Sequence, residues 1–385
     1  MMPQQAVKDV AVLIPSFQPD ERLLSYVEQL SHEQFAGIVI VDDGSGAQYD
    51  PVFTPLEGRA GVTVLRYPKN QGKGFALRHG MQHILDACPV CRFIITADSD
   101  GQHTTEDILR MGEALHADST GLLLGTRDFS SAQVPSRSRA GNRITSRVFR
   151  LLYGPRVEDT QTGLRGFARE LLPQFLHIKG DRYDYEMNQL IACAIGGIPI
   201  RALPIETVYE NNNEGSHFRT VVDSFRIYRV ILGRFVRFVM SSAFCFVLDY
   251  GIYLLVNHLL KINAPALDQY LSIFFIRFVA RIGIAAAVAR AVSATVNYLI
   301  NKRVVFGSEA AVMRSFLRYS CTVALIIVLS AGIVSTLHIG LGLSDTLTKI
   351  PVDIALFFVS YFLQRKWVFG GGWRGAAALS EENHG

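Results

Sequence analysis

The sequence predicts an α/β domain with a mostly parallel sheet, followed by an all-α membrane domain. Three observations carry this. Short apolar, β-branched runs alternate with helical stretches over roughly the first 215 residues, the pattern of a sheet covered on both faces. Beyond about residue 234 come long apolar runs, each near the roughly 20 residues a bilayer core requires or somewhat short of it. Basic residues bracket those runs, as they do at the cytosolic ends of membrane helices.

At 385 residues the chain has room for two or three domains. Its net charge of +4 is modest, and the basic residues cluster near the apolar runs, which points to a membrane surface and not to nucleic acid. The segment Met1 to Val10 leads straight into a strand with no signal-peptide pattern, so the first domain is expected in the cytosol. Five cysteines are scattered through both halves. Cys88-Pro-Val-Cys91 has no second ligand pair and reads as incidental, with no disulfide framework implied.

Val10 to Ile14 is an apolar run ended by Pro15, and a helical stretch follows from Asp20 to Gln34. Ile38 to Val41 is a second buried strand, ending in Asp42-Asp43-Gly44-Ser45. Val62 to Leu65 is a third, followed by Lys69-Asn-Gln-Gly-Lys73-Gly74 and a helix. That turn lacks P-loop spacing, but it would present backbone amides and Lys73 to a phosphate, unless it is only a tight strand-to-helix connection. Leu122 to Leu124 and Ile198 to Val208 supply further strands, and Tyr183-Asp-Tyr-Glu186 opens a helix between them.

Phe93 to His103 organises the rest. A buried strand stops on Asp98 and Asp100, then Gln102, at the carboxyl edge of the sheet where α/β proteins bind ligands. Paired oxygens there suit a hard divalent cation, which takes one or two carboxylates plus phosphate oxygens. The plainer reading is an acidic turn that caps the next helix, since Thr104 and Thr105 precede Glu106 and Asp107.

Taken together, I-P-S-F, V-D-D-G-S, K-N-Q-G-K-G-F-A-L-R-H-G, A-D-S-D-G-Q-H, G-T-R and D-T-Q-T-G-L-R-G-F cover nearly all of residues 8 to 210. In order and spacing they resemble the family 2 glycosyltransferases of Rossmann-like GT-A fold, and within these the polyprenyl-phosphate sugar transferases related to dolichol-phosphate mannose synthases. One departure is Gln18-Pro19-Asp20, where the family usually has Asn-Glu. The resemblance implies that Pro15, Phe17, Asp42 and Asp43 border the nucleotide with Lys73 nearby, and that Asp98 and Ser99 line the nucleotide-sugar. It further implies a metal, Mg²⁺ or Mn²⁺, on Asp100 and Gln102, Arg127 facing the phosphates, and Asp159 as a catalytic or orienting group.

A lipid phosphate acceptor arrives already ionised, so it needs cationic positioning more than a general base. Arg137, Arg139 and Arg143 lie close together, and Arg165 follows in T-G-L-R; His217 and Arg219 stand where the family keeps further acceptor contacts. These are the candidate lipid-phosphate groups. A solvated basic face is the alternative for the arginines.

Residues 216 to 233 place Val221, Phe225, Tyr228 and Leu232 on one helical face with Arg219, Asp223 and Arg226 opposite, an amphipathic helix for the membrane interface. Four spans follow in residues 234 to 370, at 235–257, 282–300, 316–338 and 350–364, and residues 371 to 385 read as a flexible tail. Ile273 to Arg281 is expected near the outer interface. An internal repeat orders the spans: Phe235-Val-Arg-Phe238 matches Phe316-Leu-Arg-Tyr319, and Asn297 to Phe306 matches Ser360 to Phe369. This half resembles the GtrA-like membrane family, implicated in moving polyprenyl-linked sugars. Asp249, Arg290 and Asp353 fall near the midplane, roughly 17–18 Å from the basic ends, and are expected to face inward and pair.

The expected protein is an integral enzyme of a bacterial cytoplasmic membrane, with its catalytic domain and both termini cytosolic. It would move a hexose from a UDP- or GDP-sugar to a polyprenyl phosphate of undecaprenyl type with inversion, for cell-envelope glycosylation, and its membrane half would anchor it and help flip the product. Membrane lipids are its other partners, and homo-oligomerisation is open. Two rivals stand beside this. A processive polysaccharide synthase would carry Q-x-x-R-W, which is absent. A lipid transporter with a non-catalytic transferase domain would not need Asp98, Asp100 and Gln102 together.

Overall fold

The computed structural model describes residues 7–129, 136–206, 220–273, 276–308, 310–341 and 345–370. The chain divides into two units, Met1–Ile231 and Leu232–Gly385.

In the first unit seven strands form one sheet: β1 (Val10–Ser16), β2 (Gly37–Asp42), β3 (Val62–Arg66), β4 (Phe93–Thr96), β5 (Leu122–Arg127), β6 (Arg165–Ala168) and β7 (Ile200–Ile205). Their order is β3-β2-β1-β4-β6-β5-β7. All neighbours are parallel except β6, which runs antiparallel between β4 and β5. β1 and β4 are buried along their whole length, which is why they read as continuous apolar runs and not as alternation. Helices α1 (Arg22–Ser31), α2 (Asp50–Phe53), α3 (Lys73–Ala87), α4 (Thr105–Ala117), α5 (Ser136–Tyr153), α6 (Leu172–Leu176) and α7 (Asp184–Gly196) alternate with the strands. Val12, Ile14, Leu23, Val27, Ile40 and Ile95 lie at the centre of the core, all fully buried. Thr104 caps α4 as its sequence suggests, its hydroxyl accepting from the Asp107 N–H at 3.1 Å.

The register sets the site. Ser16 lies opposite Asp42, and Leu13 opposite Thr96, so the chain leaves β1, β2 and β4 along one edge of the sheet. Arg165 pairs with Thr96, and the Thr96 hydroxyl donates to Gly163 O at 2.7 Å. The segment entering β6 is thereby held beside Asp98.

Cys88 and Cys91 correct an expectation. The turn after α3 brings their Cα atoms to 5.5 Å, within disulfide range, and the two are bonded.

Beyond β7, α8 (Thr220–Asn263) begins in the first unit, continues into the second and leads to a hairpin, β8 (Tyr270–Ile273) with β9 (Ile276–Val279). Then come α9 (Ala280–Ile300), α10 (Val312–Leu341) and α11 (Asp345–Leu363). Among the described residues three helices are long and apolar enough to cross a membrane, over Phe225–Asn263, Ala280–Val305 and Val312–Val334. α11 carries Lys349 and Asp353 within its 19 residues. The expected interfacial segment and the first span are one uninterrupted helix from Thr220 onward.

The repeat seen in sequence is a repeat in space. Asn301–Val305 and Gln364–Val368 are both π-helical turns. Asn301 donates to Gln364 Oε1 at 3.0 Å, and the Phe306 and Phe369 rings stack at 5.2 Å. Equivalent residues thus meet each other where the two hairpins come together.

Candidate active site

The β4 end and the first turn of α3 make the central contact. Gly72 caps α3 at a φ of 105°, a conformation that favours glycine, and Lys73 is the helix's first residue. The Lys73 ammonium lies 2.7 Å from Asp98 Oδ1 and 3.0 Å from Glu186 Oε1, with the Tyr183 ring 5.9 Å away. His103 Nε2 lies 3.4 Å from the other Asp98 oxygen. Burial alone would raise the Asp98 carboxyl, but Lys73 and then His103 hold it well below the usual carboxylate range. Burial likewise disfavours the Lys73 ammonium, and Asp98 with Glu186 more than offsets it. Asp98 and Lys73 are both charged near neutral pH.

Behind Asp98 stands Gly163, where a Cβ would overlap both carboxylate oxygens. Gly163→Ala is expected to push Asp98 off Lys73 and, with Asp98 in the donor role expected from the sequence, to weaken nucleotide-sugar binding about tenfold or more. Calorimetric titration of the donor against the variant measures this, and unchanged affinity would remove Asp98 from the donor site.

Ser99 and Asp100 follow, both half-buried. Asp100 and Gln102 line a cavity of about 200 Å³ closed on its far side by Arg22, Ser25, Tyr26 and Gln29 of α1. Burial, and then the charge of Asp98, push the Asp100 carboxyl upward, against a backbone N–H from Gln102 at 3.1 Å. Asp98, Asp100 and Glu186 outnumber Lys73, so the site carries excess negative charge that a cation would relieve. Among the described residues no three His, Cys, Asp or Glu converge on one point. The donor set therefore fits a cation that arrives with a diphosphate and keeps phosphate and water ligands, not one caged by protein.

The other nucleotide candidates sit along the same edge. Pro15 is buried opposite Val41, and Phe17 is half-buried just beyond β1. Asp42 accepts from the Ser45 N–H at 2.8 Å and from Arg66 at 3.1 Å. The Asp43 carboxylate receives the Tyr67 hydroxyl (2.8 Å), Asn70 Nδ2 (2.9 Å) and the N–H groups of Gln71 (2.7 Å) and Gly72. Asp43 thus shapes the loop that delivers Lys73.

A second, larger cavity of about 720 Å³ opens beyond β5, lined by Arg127, Arg139, Arg143, Arg147, Arg150 and Arg156 among others. Arg127 Nε and Nη2 donate to the two oxygens of Asp159 at 2.7 and 3.1 Å, and Asp159 is 0% exposed. Asn142 of α5 ties the same segment down, donating to Glu158 O at 2.6 Å and accepting from Thr160 at 3.1 Å.

Three expectations meet a different arrangement. Arg165 is 2% exposed and holds β6 to α7, donating to Thr162 O, Glu186 O and Gln189 Oε1 at 2.8–3.0 Å, so it stands apart from the arginines of the cavity. Arg290 pairs with Asp249 at 3.4 Å but keeps its side chain 73% exposed. Asp353 joins Lys349 (2.9 Å) and Ser330 (2.6 Å) instead, because Lys349 lies one turn away on the same helix. Arg137 lies in α5 with its side chain outside the described residues, as are His217 and Arg219 altogether. The sequence reading missed Glu186, His103 and Gly163. Glu186 had one signal, its place in the first turn of a helix, and nothing in the sequence aims that helix at Lys73.

Comparison with known proteins resolves the two units. Residues 11–176 match the model of glycosyl transferase family 2, and residues 266–369 that of the GtrA/DPMS transmembrane domain. The chain is a family 2 glycosyltransferase domain joined to a GtrA/DPMS transmembrane domain. The transferase domain is similar to the UDP-N-acetylglucosamine–dolichyl-phosphate N-acetylglucosaminyltransferase of Methanococcus voltae, 24% identical over 59% of this chain and 96% of that one. It is also similar to the dolichyl-phosphate beta-glucosyltransferase of Saccharomyces cerevisiae, 26% identical over 57% of this chain and 71% of that one. An uncharacterised protein of Methanocaldococcus jannaschii is 28% identical over 57% of this chain and 89% of its own length. Among solved structures, the glucosyl-3-phosphoglycerate synthase of Mycobacterium tuberculosis aligns with a TM-score of 0.45 and 16% identity, over 60% of this chain and 79% of that one.

Proposed function

We propose that the chain transfers a hexose from a nucleotide-sugar to a polyprenyl phosphate at the cytosolic face of a membrane, with inversion at the anomeric carbon. The observation that carries this is the pairing of two unlike sites on one domain. A carboxylate edge with Lys73 and Asp98 suits a nucleotide-sugar, and an arginine-lined cavity beyond β5 suits a phosphate acceptor. The dolichyl-phosphate transferases among the relatives support the same acceptor class.

In the reaction an oxygen of the lipid phosphate forms a bond to the anomeric carbon as the bond to the nucleoside diphosphate breaks from the opposite face. No proton need leave the nucleophile, because a phosphate is already ionised near neutral pH. Asp98, held charged by Lys73, would accept hydroxyls of the donor sugar. Arg127, fixed by Asp159, would aim its guanidinium at phosphate oxygens, and Arg139 and Arg143 would hold the acceptor. Asp100 and Gln102 would hold a divalent cation, Mg²⁺ or Mn²⁺, which when bound supplies positive charge to the departing diphosphate.

The membrane domain anchors the enzyme, and the Asp249–Arg290 pair within its apolar helices supports a part in moving the product across. One experiment tests both assignments. Purified chain in sealed proteoliposomes receives UDP-glucose, UDP-N-acetylglucosamine or GDP-mannose, with undecaprenyl phosphate or the neutral undecaprenol. Products are read by mass and by accessibility on each leaflet. Glycolipid from the phosphate and not the alcohol is expected, weakened about tenfold or more by Arg143→Gln through the acceptor KM. Equal use of the alcohol overturns the acceptor; product confined to the leaflet of synthesis overturns the transport role.

A further inference from the structure

The turn from α3 to β4 holds a reactive group that sugar transfer does not use. Cys88 closes α3, Cys91 stands two residues before β4, and the two sulfurs are bonded. Cys193, Cys245 and Cys321 are free. The bond is open to solvent on one side only. Cys88 is half-buried next to the exposed Pro89 and Val90, while Cys91 is 0% exposed. Arg169, the residue after β6, draws the turn together. Its guanidinium donates to the carbonyls of Leu85 and Cys88 at 2.6 Å, of Ile84 at 3.3 Å and of Cys91 at 3.4 Å. Its own N–H donates to Arg92 O at 2.9 Å.

Two ordinary roles do not suit this pair. A structural zinc site takes four ligands, and among the described residues no three His, Cys, Asp or Glu converge on one point. A permanent brace stabilises most when it closes a long loop, and this one encloses only Pro89 and Val90. Arg169 and the Cys91 N–H, which donates to Cys88 O at 3.2 Å, already hold so short a turn. With the domain on the cytosolic side, as proposed above, thiol pools keep structural cysteines reduced, and a disulfide that forms there is a transient or sensing one. The burial pattern suits exchange. An attacking sulfur reaches Cys88 at the rim, and Cys91 behind it resolves the mixed disulfide.

We infer that Cys88 and Cys91 form a reversible dithiol–disulfide site, oxidised and reduced by low-molecular-weight thiols, whose state sets how firmly the end of α3 is held. In oxidation the Cys88 thiolate attacks one sulfur of a small disulfide such as glutathione disulfide, whose S–S bond breaks to release one thiol. The Cys91 thiolate then attacks the Cys88 sulfur and expels the second. Two protein thiols lose two electrons to the small disulfide, and their two protons pass to the thiols it leaves. Reduction is the reverse. It moves the sulfurs from bonding to van der Waals distance, and Cys88 must take up that movement because Cys91 is enclosed. Cys88 O then shifts against Arg169, and the last turn of α3 loosens. The same turn joins the helix that begins at Lys73 to the strand that ends before Asp98, so the elements carrying that ion pair share one redox-sensitive joint.

Thiol trapping tests it on the full chain in nanodiscs, with no donor or acceptor present. Cys321→Ala removes the exposed free thiol. The protein is equilibrated without oxygen in glutathione buffers running from reduced to oxidised, then quenched in acid, alkylated and mapped by peptide mass. The ratio of dithiol to disulfide at Cys88 and Cys91 should change about tenfold or more across the series and return when the buffer is reversed. Amide hydrogen exchange over residues 82–91 should be about tenfold faster in the reduced protein, with α1 unchanged. Cys88→Ser, at the more exposed of the two positions, should show the faster exchange in both buffers. A pair that stays bonded in reduced glutathione is a permanent brace, and one that stays open in oxidised glutathione is incidental; either result overturns the inference. A bond that opens and closes while residues 82–91 keep equal protection overturns the hold on α3. Because no substrate is present, each of these failures leaves the transfer reading untouched.

Discussion

Asp100→Asn is expected to reduce sugar transfer by about 10³-fold, or about 4 kcal/mol of transition-state stabilisation, while the domain stays folded. The prediction rests on what opposes the Asp100 charge. Burial and the neighbouring Asp98 both push its carboxyl upward, so an amide of the same shape removes a charge that the fold itself does not favour. Stability should therefore be unchanged or slightly raised. What disappears is the anionic oxygen that would hold a cation against the leaving diphosphate. Wild-type transfer should also stop in excess EDTA and return with Mg²⁺ or Mn²⁺. Initial rates with and without chelator, beside thermal melts of both proteins, check this. A variant within tenfold of wild type, or full transfer in EDTA, would remove the metal from the proposal.

Much of this was legible because the sheet is covered on both faces. β1, β2, β3, β4, β5 and β7 are apolar or β-branched runs that end on turn residues, and each was predicted. β6 was not. Arg165-Gly-Phe-Ala is four residues long, opens on a charge and contains a glycine, so it shows no strand periodicity. It is held by its ladders to β4 and β5 and by Arg165 bonds to a helix about twenty residues further on, and sequence spacing does not encode these. The same limit hid Glu186, whose partner Lys73 lies on a different helix. Local signals fared better. The Thr104 cap, the aspartates at strand ends and the repeat in the membrane half all depend on residues close in sequence or on direct self-similarity. Of the three midplane residues expected to pair, Arg290 and Asp249 do so, whereas Lys349 reaches Asp353 first along its own helix.

Arg127→Ala should strongly destabilise the transferase domain, costing about 3–5 kcal/mol of stability and lowering its apparent melting temperature by about 6–20 °C. The reason lies with the partner. Asp159 is fully buried, and its two side-chain oxygens are matched to Arg127 Nε and Nη2, with two further backbone N–H groups, from Gln161 at 3.1 Å and from Arg127 itself at 3.5 Å. Truncating the arginine leaves that carboxylate in the interior with two backbone N–H groups but without its counter-charge, and proton uptake or local opening must follow. A double-mutant cycle separates this from loss of packing. With Asp159→Asn also present the uncompensated charge is gone, so Arg127→Ala/Asp159→Asn should melt above Arg127→Ala alone. Transfer should nevertheless stay low in the double variant, because the guanidinium proposed to meet phosphate is still missing. Recovery of both stability and turnover in the double variant would make the pair a structural strut and take Arg127 out of the reaction. A double variant no more stable than Arg127→Ala would instead refute the buried-charge account of the damage.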